Sequence, residues 1–567
     1  MPYNDNDRVG AIFGNVGTTE FKMAVSDPTL RRLDYVKVGH ETDGVILAQV
    51  MEISRETSMS FDQATKVSYG VDSEVRDHLT ASVKVVGYRD SRGLLQSPRT
   101  PLKAGQLVLR ADDALIARVF GLTGAEGAFL GFIKGYELPV ALDINTLVQK
   151  HVSILAKTGS GKSYCVGVLM EELIKRGVPI VVIDPHGEHG SLCAPNQAKE
   201  DAGLMRRFGV KPRGYAEHIV EYSPDTKVNP DAVPLRLDGT NMDARDLIDT
   251  LGSKLSSSQV GMLHAAVRHL ADEGKDYTLE DVLRRVKDEQ SNTKWNLVTA
   301  IEFLMSLGIF AEKGTPVVSL VKRGKVSILN LKGVSPDLQE VIVASIAKKL
   351  FEARKAGKVP PFMLVVEEAH NFCPERGIHS ALSSDVLRTV ASEGRKFGMG
   401  LTVVSQRPAK VDKNVLSQCN TQLILKVTNP NDIKAIVGSV EGLTSDTAEE
   451  IQRIPVGVAI VSHPRIAMPV LVEIRPRETS HGGASVDVMA AMEEPGHEAV
   501  DEEPEEKPAT RAEGAEAEAP TPVPVEAPPE RVQSTLASHD GDEDEIPFEV
   551  APLPPAAPGP EARRREP

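Results

Sequence analysis

The spacing of apolar and polar residues changes along the chain. Residues 1–110 contain short apolar runs between turn sequences such as Ser26-Asp27-Pro28, a pattern typical of an all-β unit. Examples of the runs predicted as strands are residues 10–13, 21–25, 45–50 and 106–109. We therefore expect a small N-terminal β-barrel over residues 1–110, with a strand number that the long gaps leave open.

Strands alternate with helices from about residue 150 onward. Apolar runs at 151–155 and 178–184 flank a glycine-rich loop and a helical pattern over 162–176. Further strands are predicted at residues 326–331, 362–366, 401–405 and 421–427, with a helix of about 20 residues beginning at Pro336. The alternation predicts an α/β core over 111–477, with a mostly parallel sheet covered on both faces. Within this core, residues 236–312 show helical spacing and are interpreted as a helical insertion.

The acidity of the chain lies at its C-terminal end. Residues 478–567 contain 23 acidic and six basic residues, which gives this stretch a net charge of −17. Since the whole chain has a net charge of −15, residues 1–477 have a net charge of +2. It is rich in Pro, Ala and Glu and poor in large apolar residues, which predicts a disordered tail. The nearly neutral body can therefore carry a local basic surface for nucleic acid.

Composition also narrows the class of protein. No apolar run reaches the about 18 residues needed to cross a membrane, and residues 1–8 lack the apolar stretch of a signal peptide. The four cysteines are far apart and form no CxxC pair, which favours reduced thiols and no structural zinc. We expect a cytoplasmic protein without membrane segments.

The sharpest chemical signal is the segment AKTGSGKS at residues 156–163. Small residues allow consecutive backbone N–H groups to face one hollow that holds phosphates, and the following helix adds its positive end. Lys162 can reach the β- and γ-phosphates of ATP, and the hydroxyl of Ser163 can bind Mg²⁺. Ala156 stands where a first glycine is usual, but an ordinary glycine-rich turn is disfavoured by the strand before and the helix after. The predicted nucleotide-binding residues of this loop are Lys157, Thr158, Gly159, Ser160, Gly161, Lys162 and Ser163.

Two adjacent acids follow the apolar strand at 362–366. If this strand lies beside the strand that leads into the phosphate loop, Glu367 falls near Mg²⁺ and Glu368 near the attacking water. We therefore assign Glu367 to the metal's outer shell and Glu368 to polarising water. The alternative is a solvated pair of acids at a strand end.

Three further residues are weaker candidates. Gln406 follows a strand and could sense the γ-phosphate, or could be an ordinary polar residue of a loop. Arg395 lies in a loop near Gly394 and Gly398 and could act as an arginine finger in an adjacent subunit, or be merely solvated. Asp184 could hold a water near Mg²⁺, although a structural turn is the favoured interpretation.

Six motifs in order give the chain a family resemblance. AKTGSGKS, VIDPHGEH, VVEEAHNF, ASEGRKFGMGL, VSQRP and SQCNTQLILKVTNPND resemble those of the HerA group of DNA translocases, within the HerA–FtsK class of P-loop ATPases. The resemblance covers about residues 7–477. It implies a RecA-like ATPase core and a homohexameric ring around double-stranded DNA. It further implies a NurA-type nuclease partner, with the recombination nuclease complex as another, and a role in DNA end resection and double-strand break repair.

The resemblance also implies roles for individual residues. Lys162 and Ser163 become the Walker A pair and Glu368 the catalytic Walker B acid, while Arg395 becomes a finger acting in trans and Gln406 the sensor. Lys150 occupies a position where an arginine usually contacts nucleotide, and residues 460–477 resemble a brace onto the neighbouring subunit. Two alternatives stay open: a conjugative-type or other translocating ATPase, and an ATP-regulated clamp or scaffold that activates a nuclease.

Overall fold

The computed structural model describes residues 7–70, 77–122, 127–251, 255–377, 381–440, 443 and 445–482. In this part of the chain, six N-terminal strands close an antiparallel barrel in the order β2-β1-β7-β3-β4-β5, and β5 pairs back to β2. The barrel is filled by apolar side chains such as Met23 and Ile46, which are fully buried. Its elements are β1 (Arg8–Val16), β2 (Glu20–Val25), β3 (Tyr35–His40), β4 (Gly44–Thr57), α1 (Phe61–Ser68), β5 (Asp77–Arg89), β6 (Leu95–Gln96) and β7 (Leu107–Arg110).

The second part is an α/β unit that begins after the barrel. Its first elements are α2 (Asp113–Phe120), β8 (Ala128–Ile133), β9 (Pro139–Leu142), α3 (Ile144–Gln149), β10 (Val152–Leu155), α4 (Lys162–Lys175), β11 (Ile180–Asp184), α5 (Ala202–Phe208), β12 (Ile219–Ser223) and β13 (Val233–Pro234). The next form the helical insertion and its base: β14 (Leu237–Asp238), α6 (Ala244–Leu251), α7 (Ser257–Asp272), α8 (Leu279–Lys287), α9 (Lys294–Ser306) and β15 (Phe310–Ala311). The last are α10 (Val317–Leu320), β16 (Val326–Asn330), α11 (Pro336–Lys355), β17 (Phe362–Val366), α12 (Ala369–Phe372), α13 (Ser384–Phe397), β18 (Met399–Ser405), α14 (Lys413–Gln418), β19 (Thr421–Ile424), α15 (Pro430–Ser439), α16 (Ser445–Arg453), β20 (Val458–Ser462) and β21 (Val470–Ile474).

The central sheet is mostly parallel, as the alternation of strands and helices predicts. Among the described residues it has twelve strands in the order β13-β12-β16-β11-β17-β18-β10-β19-β20-β21-β8-β9, parallel from β13 to β19 and antiparallel beyond. Every residue of β11 is buried, and its side chains alternate between two apolar clusters, with Val181 and Ile183 in one and Ile180 and Val182 in the other. The sheet therefore separates two cores, which explains why the first four residues of β11 are all apolar.

The predicted adjacency of the acid-bearing strand and the phosphate-loop strand is wrong. β18 lies between them, pairing in parallel with β10 on one side and with β17 on the other. The expectation rested on chain order and local pattern, which do not specify the order of parallel strands. As a consequence, Gln406 at the end of β18 stands between the phosphate loop and Glu368.

The helical insertion has its own apolar core. The packed residues from α6 to α9 include Leu247, Leu263, Val286 and Ile301, all buried. The short parallel pair β14–β15 joins the two ends of the insertion. Because its core is separate from those of the sheet, the insertion is a subdomain rather than a covering layer.

The predicted brace contains β21, which is an interior strand paired with β20 and β8 of the same chain. Contact of residues 460–477 with a neighbouring subunit stays a prediction.

The predicted start of the tail needs correction. Residues 478–482, assigned to the tail, are packed in the body: Glu478 and Thr479 are buried and donate backbone hydrogen bonds to Glu171. The charge pattern placed the start of the tail at residue 478, which is too early, because the polar residues that follow are paired with buried residues of the body. Residues 483–567, which carry most of the predicted tail, lie outside the described part of the chain.

No helix among the described residues is long and apolar enough to cross a membrane.

Candidate nucleotide-binding site

The loop between β10 and α4 has the geometry of a phosphate cradle. Gly159 and Gly161 adopt φ of 74° and 93°, a left-handed backbone that side chains disfavour. Gly161 caps α4 without a side-chain hydrogen bond. Within the described part of the chain, no acceptor is paired with the N–H groups of Lys162, Ser163 and Tyr164. A helix end with free N–H groups and no capping side chain suits a phosphate.

Lys162 joins this loop to both predicted catalytic acids. Its ammonium lies 2.9 Å from Oε2 of Glu367 and 2.5 Å from Oε1 of Glu368, and all three side chains are at least 92% buried. Burial opposes the charge on the lysine, but the two carboxylates outweigh it and raise the pKa of Lys162. The solvated-pair alternative for the acids is therefore excluded, since neither acid faces open solvent.

Glu367 contacts a buried histidine as well as Lys162. Burial alone would raise its pKa, but His189, whose Nε2 lies 2.9 Å from Oε1, and Lys162 together lower the pKa of Glu367 to about 2. In turn, burial opposes protonation of His189, while Asp184 and Glu367 outweigh it and raise the pKa of His189. The three side chains form a buried series of contacts from the helix α4 to the turn after β11.

Gln406 lies between the phosphate loop and Glu368. Its Nε2 donates to Oε1 of Glu368 at 2.7 Å, and its Oε1 accepts from the hydroxyl of Thr158 in the loop. The oxygen of Glu368 therefore accepts from both Lys162 and Gln406. Glu368 also has a left-handed backbone, with φ of 47°, an unusual conformation for a residue with a side chain. Such strain is found where surrounding contacts hold a functional group in place.

Two histidines belong to the site although sequence reasoning assigned them no role. His189 contacts Glu367, as described above, and His370 lies with Nδ1 3.3 Å from Oε2 of Glu368 and 3.2 Å from Oγ of Ser405. Both stand within the quoted motifs VIDPHGEH and VVEEAHNF, a few residues after an acid that ends a strand. A histidine soon after such an acid, five residues after Asp184 and two after Glu368, is the signal that could have identified them.

Asp184 is engaged by its own turn. Its carboxylate accepts backbone hydrogen bonds from His186, Gly187 and His189 at 3.3, 2.9 and 2.9 Å. These contacts agree with the structural turn that sequence reasoning favoured. Contact between Asp184 and Mg²⁺ through water stays a prediction.

A cavity of about 430 Å³ opens beside these groups. It is lined by polar side chains from the phosphate loop, the acid-bearing turn and the loop after β19. Its lining residues include Lys157, Thr158, Glu368, His370, Gln406 and Asn429.

The residues of the site fit ATP with Mg²⁺. The hydroxyl of Ser163 and the ionised carboxylate of Glu367 are hard oxygen groups of the kind that Mg²⁺ prefers. No cluster of three or more His, Cys, Asp or Glu residues suited to holding a metal by itself occurs in the described part.

Arg395 and Lys150 are not brought to this cavity. Arg395 lies near the end of helix α13, not in the loop that its neighbouring glycines predicted; only Gly398 ends the helix, with φ of 78°. Lys150 precedes β10, whereas the phosphate loop follows it, so four strand residues, or about 13 Å, separate the two. Because α13 leads directly into β18, Arg395 lies at the same amino edge of the sheet as Lys150. Neither side chain can serve the cavity of its own chain.

Comparisons with known proteins show which proteins the chain is similar to. Residues 128–350 match the family model described as the central domain of helicase HerA. Over these residues the chain is similar to that domain. The chain is 26% identical over 497 residues to the DNA double-strand break repair helicase HerA of Saccharolobus solfataricus, covering 85% of this chain and 95% of the relative. It is also 26% identical to the protein of that name from Pyrococcus furiosus, covering 72% of this chain and 79% of the relative.

Among solved structures, VirB4 of Thermoanaerobacter pseudethanolicus is similar over 62% of this chain and 97% of its own, with 15% identity and a TM-score of 0.45. The HerA domain match includes the phosphate loop and His189 but ends before Glu367. Glu367, Glu368, Arg395 and Gln406 therefore lie outside the matched range, and their roles depend on the geometry described above.

Proposed function

We propose that this chain hydrolyses ATP and uses the energy to move along double-stranded DNA. The observation that carries the proposal is the contact of Lys162 with both Glu367 and Glu368, completed by Gln406. These side chains meet at one end of a helix with free N–H groups, which supports a phosphate-binding role for Lys162, a metal-binding role for Glu367 and a water-polarising role for Glu368. The relatives named as DNA double-strand break repair helicases supply the nucleic-acid substrate.

Each residue has a distinct task in this reaction. The N–H groups at the start of α4 and the ammonium of Lys162 bind the β- and γ-phosphates of ATP. The hydroxyl of Ser163 and, through water, Glu367 would hold Mg²⁺, which would neutralise charge on those phosphates. Glu368 orients the attacking water, and Gln406 reports the state of the γ-phosphate to β18. Binding of phosphate to Lys162 competes with its contact to Glu368 and so frees that acid to polarise water.

We further propose a homohexameric ring. Arg395 is exposed and, among the described residues, makes no ion pair, so it is available to a neighbouring subunit. It lies at the opposite edge of the sheet from the cavity, the arrangement that a head-to-tail interface requires. A NurA-type nuclease partner and a task in DNA end resection complete the proposal; the relatives that are named double-strand break repair helicases support the repair task.

The test uses the full chain in two assays. The first measures ATP hydrolysis with and without duplex DNA, and the second measures displacement of the third strand from a DNA triplex. We expect DNA to stimulate hydrolysis and ATP to drive displacement, and Lys162→Ala to lose both. Lys358→Ala, which removes an exposed lysine far from the cavity, is the matched control and should behave as the unmodified chain. Hydrolysis without displacement, combined with ATP-dependent activation of an added nuclease, would support the clamp or scaffold instead.

A further inference from the structure

Two loops at the carboxyl edge of the sheet are tied into one unit. The first, residues 373–377, follows α12, and the second, residues 407–413, follows β18. The N–H of Glu375 donates to the carbonyl of Lys410 at 2.8 Å, and that of Asp412 donates to the carbonyl of Cys373 at 2.9 Å. An antiparallel bridge between Pro374 and Val411 lies between these bonds. We call the combined segments 373–377 and 407–413 the basic ridge.

The basic ridge concentrates positive charge. Arg376, Arg407, Lys410 and Lys413 are exposed on it. Glu375 neutralises Lys413, with Oε1 at 3.1 Å from its ammonium, while the buried acid of the ridge, Asp412, is neutralised by Arg388 at 2.8 Å. The other three cations form no ion pair with any described residue, so the ridge carries about three uncompensated charges. Residues 1–477 as a whole carry only +2, so the ridge is not an average piece of this surface.

The basic ridge is attached directly to the catalytic groups. Glu368 precedes α12, which leads into the first loop, and Gln406 is followed at once by the second. These two side chains are joined by the 2.7 Å hydrogen bond, just as their loops are joined by the backbone bonds. Arg407 itself lines the cavity. A rearrangement of Glu368 and Gln406 during hydrolysis therefore reaches the ridge through only a few covalent bonds.

We propose that the basic ridge binds the phosphate backbone of double-stranded DNA; this inference rests on the proposed translocase function. The ridge has exposed cations without aromatic side chains, which suits contact with phosphates and not stacking on bases. Backbone contact carries no sequence preference, as a motor that must travel over any sequence requires. The attachment to Glu368 and Gln406 gives such a contact a physical route by which ATP hydrolysis can shift it.

The experiment compares two double variants of the full chain. Arg376→Ala/Lys410→Ala removes two charges of the ridge without touching the lining of the cavity. Lys322→Ala/Arg323→Ala removes two exposed charges at the amino edge of the sheet, in the turn before β16, and is the matched control. Affinity for a fluorescently labelled blunt DNA duplex is measured at salt concentrations from about 50 to 200 mM, the range over which phosphate contacts weaken steeply. Hydrolysis of ATP is measured with and without the same duplex.

We expect the ridge variant to bind the duplex at least tenfold more weakly. The slope of log affinity against log salt should fall by about one for each phosphate contact removed. Its hydrolysis without DNA should match that of the unmodified chain, and stimulation by DNA should be lost. An affinity and salt slope equal to those of the control variant would overturn the inference while leaving the translocase proposal standing. Failure of the unmodified chain itself to bind the duplex would instead refute the translocase proposal, and the ridge inference with it.

Discussion

The side-chain amide of Gln406 donates a hydrogen bond to Glu368 at 2.7 Å. This bond links the ends of β18 and β17, and the same carboxylate oxygen lies 2.5 Å from the ammonium of Lys162. Gln406 thus holds the predicted catalytic acid between the sheet and the phosphate loop. These contacts join three separate sequence motifs into one site, so that a mutation of any of the three residues is expected to affect ATP hydrolysis.

Replacing the polarising acid should separate binding from hydrolysis. Glu368→Gln keeps the size of the side chain and its contact with Gln406 but removes the negative charge that polarises water. We expect ATP to remain bound and single-turnover hydrolysis to slow by about 10²–10⁴-fold, the usual contribution of a general base. Glu312→Gln, at an exposed position in the insertion, is the control. Turnover within twofold of the unmodified chain would remove Glu368 from the catalytic role.

Arg395 should act on the neighbouring subunit. Arg395→Ala alone is expected to lose about 10³-fold or more in hydrolysis, the range for an arginine finger. Mixing it with Lys162→Ala subunits should restore part of the activity, because some interfaces then combine an intact loop with an intact arginine. Lys396→Ala removes the adjacent exposed cation on the same helix and should keep normal hydrolysis. Absence of recovery in mixed assemblies would contradict action in trans.

The end of the body should be stabilised by residues 475–482 and not by the tail. Arg475 is fully buried and pairs with Glu171 at 2.9 Å and Glu172 at 2.7 Å, both on the phosphate-loop helix α4. A chain that ends at 474 leaves these acids buried without partners, which costs about 3–5 kcal/mol for a broken buried pair. A chain that ends at 482 retains the contacts.

Thermal unfolding of the two truncated chains checks this prediction. The chain ending at 482 should unfold within a few degrees of the full chain, and that ending at 474 at a much lower temperature. Equal unfolding temperatures for the two would show that the buried pairs contribute little.

His151 should make stability depend on pH. Burial lowers the pKa of this histidine from 6.5 to about 4, and its Nδ1 accepts from the N–H of Leu401 at 3.0 Å, a contact that needs the neutral ring. The unfolded chain therefore binds a proton between pH 6.5 and 4 that the folded chain excludes. Stability contributed by neutral His151 is present above pH 6.5 and is lost as the pH falls toward 4. The size of this loss is about 1.4 kcal/mol for each unit of pKa shift.

The substitution His151→Asn tests this assignment. His151 has φ of 54°, a left-handed backbone that asparagine tolerates well, and the amide oxygen of asparagine can accept the same hydrogen bond. Denaturant unfolding at pH 5 and pH 7 should show a smaller difference for the variant than for the unmodified chain. His269→Asn, on an exposed part of α7, serves as the control and should keep the full difference.

Local pattern predicted several elements closely. β17 occupies residues 362–366 as expected, and α11 begins at Pro336 and runs for 20 residues. β3 and β5 were not among the runs named as strands because polar residues alternate there with buried ones on a curved barrel wall. The end of the body was placed too early because Arg475 and Glu478 look like surface residues in sequence and are in fact paired inside the protein.

The sequence by itself determined the phosphate loop, since that chemistry depends on eight consecutive residues: small side chains that free the backbone, a lysine and a hydroxyl. It also determined that two acids end a buried strand. Only the tertiary structure decided that β18 separates this strand from β10, that His189 holds Glu367 across 178 residues of chain, and that Arg395 lies at the opposite edge of the sheet from the cavity of its own chain. The physical reason is that strand order and buried ion pairs depend on distant residues meeting in one core, where burial and charge compensation act together and leave no mark on local periodicity.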